Sequence, residues 1–177
     1  MSNDVIIVIT GALIAVLLLL IIILLLASVL RRVFNERKYR TLDALRDHYD
    51  IVIQAAINAG DLDRAVRECA APPKSNEWQA VEDVVMRLIS REHHAEDAKQ
   101  LFDRLGYIAY YEKQLTNKNV HVRSMSIDKL GKVKSTSSVS KLAGLLDAEE
   151  PEIVSITVRT LNKIGSQEAL LAISRRL

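Results

Sequence analysis

Cysteine occurs once in the 177 residues, at Cys69, so no intrachain disulfide framework can hold the fold and its core must come from apolar packing. Aromatic residues are scarce, at 5% of the chain. Strand-like alternation of apolar and polar residues is missing after residue 40, which excludes a sheet-based fold in that part. Charge is missing over the 26 residues from Val5 to Leu30, where only Thr10, Gly11 and Ser28 interrupt the apolar run. That gap excludes a wholly water-soluble chain. Also missing are a Gly-rich phosphate loop and a paired-carboxylate arrangement, which removes two common starting points for an enzymatic reading.

What is there divides sharply by position. All 24 Lys and Arg follow residue 30. Residues 31–40 alone hold five bases (Arg31, Arg32, Arg37, Lys38 and Arg40) against one acid, leaving 19 bases and 20 acids in residues 41–177. The body of the protein is therefore close to neutral. Nucleic-acid binding by phosphate neutralisation needs a basic body, so nucleic acid is not an expected partner.

As a helix, the 26 uncharged residues would rise roughly 39 Å at about 1.5 Å per residue, more than the ~30 Å hydrocarbon core of a bilayer. A cleaved signal peptide fits poorly: no base precedes the run, the run is too long, and Ala27-Ser28-Val29 makes a weak cleavage site. Residues 1–30 are expected to be an uncleaved transmembrane anchor in the lipid bilayer. The basic residues 31–40 then form a juxtamembrane segment that sets the N-terminus outside and residues 31–177 in the cytoplasm, as for a single-pass membrane protein. The same cluster suits anionic headgroups. Gly11 and Ala15 form a small-xxx-small pair that would permit self-association of the anchor.

Beyond residue 40 the apolar spacing is helical. Thr41–Ala59, Leu62–Ala70, Glu77–Arg91 with Asn76 as its cap, Ala95–Leu105 and Tyr107–Leu115 are predicted helices, broken at Gly60-Asp61, Pro72-Pro73 and Gly106. From Val120 onward the chain repeats itself. At an offset of 31 residues, Val122 aligns with Ile153, Met125 with Ile156, Ile127 with Val158, Leu130 with Leu161 and Val133 with Ile164. Val139, Leu142 and Leu146 align in turn with Leu170, Ile173 and Leu177. One step back, Phe102, Ile108, Tyr111 and Leu115 fall in the same register. Each unit reads as helix, short turn, helix, and neither helix can bury its apolar face without a stacked neighbour.

The segments VRSMSIDKLGKV and VRTLNKIGSQEALLAI resemble short bacterial HEAT repeats of the phycobilisome-lyase-like kind. Those repeats turn through a leucine, a glycine, a basic residue, an aliphatic residue and a second glycine. The first unit keeps Gly131 and carries Lys134 at the second glycine; the second carries Asn162 and keeps Gly165. The resemblance implies a bacterial inner-membrane protein with an all-α fold: a transmembrane helix followed by an α-solenoid, with residues 41–94 as lead-in hairpins and 95–177 as HEAT-like repeats. It also implies a scaffold for an unidentified protein partner. Some membrane-anchored HEAT-repeat proteins accompany membrane glycosyltransferases that make extracellular polysaccharide, so an accessory subunit of such a complex is the alternative reading. A cofactor-handling or lyase-like enzyme is a more distant one.

No catalytic, cofactor-binding or metal site is expected. His93-His94, between Glu92 and Glu96, are adjacent and diverge on a helix, whereas helical metal sites use i and i+4. Cys69 sits at a helix end without a nearby histidine, and Ser135–Ser140 supply turn and capping hydroxyls. The candidate binding residues are Tyr110, Lys113, Lys141 and Arg175, which the register places on successive second helices, the usual inner face of such arrays. Lys129, on a first helix, reads as solvent-facing and dispensable. LAISRRL has no polar capping helix, so Leu170 and Ile173 are expected to be covered by a partner or a second copy, unless the array is truncated.

Overall fold

The computed structural model describes the backbone of residues 3–91 and 94–175, with side chains for residues 17, 19–26, 28, 40–91 and 94–175. Every regular element among them is helical, so the fold is all-α as expected. The helices are α1 (Asn3–Asn58), α2 (Leu62–Cys69), α3 (Asn76–Ile89), α4 (Ala95–Arg104), α5 (Tyr107–Gln114), α6 (Val120–Val133), α7 (Val139–Ala143) continued by a 3-10 turn at Gly144–Asp147, α8 (Pro151–Ile164) and α9 (Gln167–Ser174). The chain divides into two units, Met1–Ala44 and Leu45–Leu177.

The first unit consists of the N-terminal portion of α1. The helix predicted from Thr41 is the end of this longer one, which runs through residues 31–40 because nothing there breaks it: the segment has no proline or glycine. Leu17 and all eight residues from Leu19 to Leu26 stay 51–61% exposed within the chain. Eight consecutive helical residues cover every face, so the apolar surface here is all-round rather than a stripe. Among the described residues no helix is both long and apolar enough to cross a membrane. Most side chains of Val5–Leu30, and those of Arg31, Arg32, Arg37 and Lys38, lie outside the described residues; Arg40 is exposed.

The second unit begins with the C-terminal part of α1 against α3, where Arg46 reaches Asp83 (Nε to Oδ2, 3.0 Å). Local chemistry sets the breaks. Asp61 caps α2 by accepting from the Arg64 N–H, and Gly60 takes φ +68°, which a glycine adopts without strain. Ser75, not Asn76, caps α3: its Oγ accepts from the Trp78 N–H at 3.0 Å and Asn76 becomes the first helical residue. Pro151 opens α8, where its missing N–H would have lacked a helical partner anyway.

α6 and α8 are 14 residues each and lie side by side in the same direction. Arg123 pairs with Glu150 near their starts, Ser124 Oγ donates to Glu152 at 3.2 Å, and Thr160 Oγ1 donates to the Ile127 carbonyl further along. The closest approach is at Gly131, where an added Cβ would stand 2.9 Å from Thr160 Cγ2. Leu130 and Leu161 are both fully buried, as are Ile127, Leu142 and Ile153. α6 also meets α5 and, to a smaller extent, α3, and α4 borders a shallow groove with Val133–Ser135 at the C-terminal end of α6. α3 is also 14 residues long. Lys129 of α6 reaches α3, and its counterpart 31 residues on, Thr160 of α8, reaches α6. The same position thus faces the preceding helix in both units, and α4 stands as an additional helix between α3 and α5.

Candidate partner-binding face

Of the four candidate residues, Tyr110 and Lys113 lie on α5, Lys141 lies on α7, and Arg175 caps the C-terminal end of α9. α5 starts at Gly106, whose φ of +83° turns the chain sharply out of α4. Its aromatic residues close a cluster with α3 and α4. The Tyr107 ring lies 3.9 Å from Trp78 and 4.7 Å from Phe102 between centroids, and Tyr111 stacks on Phe102 at 6.4 Å. Tyr110 joins edge-on, 5.7 Å from Trp78 and 5.3 Å from Tyr111. Tyr110 is accordingly half-buried packing as well as surface.

Lys113 is exposed on the next turn. Lys141 is exposed and pairs with Glu112, which also accepts from Ser138 Oγ at 2.8 Å, so one carboxylate ties α5 to α7. Arg175 is exposed and lines a groove of about 470 Å³ between α7 and α9, whose walls include Ser140, Ala143, Glu168 and Leu171. Three of the four candidates therefore have separate settings: Tyr110 beside Trp78, Lys141 on Glu112, Arg175 in the α7–α9 groove. Helix packing makes α5, α7 and α9 neighbours, through Glu112 and through direct contact of α7 with α9.

Two features escape the sequence reading. Glu82 of α3 is buried, accepting from Tyr111 Oη at 2.6 Å and from Lys129 Nζ at 2.7 Å. Burial raises the Tyr111 phenol far above its ordinary value, with the Glu82 hydrogen bond adding to the effect; Tyr107, donating to the Trp78 carbonyl at 2.8 Å, is raised chiefly by burial too. Both stay protonated donors. Lys129 is hence a correction: truncating it would leave the buried Glu82 carboxylate short of its cation, so it is not a neutral surface position. A signal for this existed, since Glu82 falls on the apolar stripe of Trp78, Val85 and Ile89. The second feature, the α7–α9 groove, has no signature in one sequence.

The chemistry expected of other candidates can be placed as follows. Cys69 is buried, and desolvation pushes its thiol up to about 11, far from a reactive thiolate. Glu92 and His93 lie outside the described residues, and among those described no three His, Cys, Asp or Glu side chains gather in a metal-binding group. No protein-family model, curated protein or solved structure matches this chain. Its functional reading rests on its own residues.

Proposed function

We propose that this chain is a non-enzymatic single-pass membrane protein that presents a HEAT-like α-solenoid in the cytoplasm as a protein-binding scaffold. The observation that carries the reading is the apolar helical surface of Leu17 and Leu19–Leu26, each of which is more than half exposed, with the eight consecutive residues covering every face. Exposed apolar area opposes solvation at about 25 cal/mol per Å², so such a surface calls for hydrocarbon around it. The flanking bases then place residues 31–177 on the cytoplasmic side. The solenoid part of the reading is supported by the parallel α6–α8 pair and by the shared backward-facing position of Lys129 and Thr160. The scaffold role is supported by the open row of second helices carrying Lys113, Lys141 and Arg175.

Topology gives the direct test. A reporter active only in the cytoplasm, fused after Leu177, should be active in membranes and resist carbonate extraction. A fusion active only on the outer side, or one washed off the membrane, would overturn the proposal.

A further inference from the structure

We infer that the groove between α7 and α9 is filled by α9 of a second copy of this chain, the two α9 helices packing antiparallel about a two-fold axis. Glu168, Leu171, Ala172 and Arg175 all border this groove. Their spacing of i, i+3, i+4 and i+7 puts them on one helical stripe. The acid stands at one end, the base at the other, and the two apolar residues lie midway. Reversing the direction of such a stripe maps it onto its own complement. Glu168 of each copy meets Arg175 of the other, twice over, while Leu171 faces Leu171 at the axis. A parallel pair would set acid against acid and base against base.

The groove's other wall, with Ser140 and Ala143 of α7, carries short side chains that admit a helix. Leu171 is 49% exposed and is the large apolar group that such a seat would cover. The opposed helix dipoles of an antiparallel pair act in the same direction. A self-complementary patch of this kind gives an isologous, closed dimer rather than an open chain. The inference rests on α9 and its groove, independently of the anchor and of membrane topology.

The test uses the full chain purified in mild detergent and followed by sedimentation over a dilution series. Wild type should dimerise reversibly. Glu168→Arg and Arg175→Glu should each weaken dimerisation by at least about tenfold, because like charges then face each other at both ends. The double variant E168R/R175E should return to near the wild-type value. Both positions of change are exposed, so helical content and melting should be unaltered. As a second measurement, Leu171→Cys should give a disulfide-linked dimer under mild oxidation, whereas Leu170→Cys, off the stripe, should not; buried Cys69 stays out of the reaction. A monomeric wild type, folded single variants that dimerise normally, or a double variant that fails to recover would each overturn the inference. A dimer indifferent to all α9 variants would belong to another surface, such as the Gly11–Ala15 helix face, and would overturn it as well.

Discussion

The two repeats, α6–α7 and α8–α9, share their apolar register but distribute their glycines differently. The first has glycine inside its leading helix, at Gly131, and lysine where that helix ends, at Lys134. The second has Asn162 inside and Gly165 at the end. The structure separates the two jobs. Gly131 lies under Thr160 of the next helix, where a Cβ would collide, while Asn162 is exposed, with no following helix above it among the described residues. Lys134 and Gly165 both end their helices in the left-handed conformation, at φ +56° and +68°. The inner glycine is thus a packing residue, needed only where another unit stacks. The terminal one is a backbone residue, replaceable by lysine at a cost in strain.

The largest effects should come from the shared core. Leu130→Ala and Leu161→Ala are each expected to lower stability by about 2–5 kcal/mol in denaturant unfolding. Leu130 should be the more costly, since α6 has helices on both sides. Equal or reversed losses would show that stacking does not distinguish the two units. Next, Gly131→Ala should cost about 1–2 kcal/mol: the clash with a stiff β-branched Thr160 outweighs the ~1 kcal/mol gained in helix propensity. Asn162→Ala should instead be neutral or slightly stabilising, and a matched loss at both positions would erase the contrast. The smallest pair concerns the helix ends. Lys134→Gly should raise stability by about 0.5–1 kcal/mol, and Gly165→Ala should lower it by about 1 kcal/mol, both read as shifts in melting temperature.

Much of the second unit was legible in residue spacing. Helix positions followed from apolar periodicity and from breakers at Gly60, Pro72-Pro73 and Gly106, with errors of one or two residues where side-chain capping decided the start, as at Ser75. Leu130 and Leu161 were readable as core because one repeat vouches for the other. The identity of the helix preceding α6 was not. A constant offset points to Ala95–Leu105, but Lys129 of α6 reaches α3, at Glu82, and α4 comes between α3 and α5 in the chain, where an inserted helix leaves no mark on the periodicity of either flank. Of the candidate residues, the helical setting of Tyr110, Lys113 and Lys141 was legible, with Arg175 falling one residue past α9. The individual surroundings of Tyr110, Lys141 and Arg175 depend on side chains roughly 30 residues away, which spacing alone does not reveal.

The Glu82 network has a consequence for how the second unit opens. One buried carboxylate joins α3, α5 and α6, so none of the three can peel away without breaking a bond to it, and losing α6 would leave the charge without its cation. The far end has no such rivet: Ala169 is the one buried residue of α9 among those described. Stacked arrays lose structure unit by unit according to the strength of each junction. This unit should therefore unzip in one direction, from α9 toward α6. Amide hydrogen exchange should be fastest in α9, slower in α8, and slowest in the helices fastened to Glu82. Two α9 helices clasped together would close the end from which the unzipping starts.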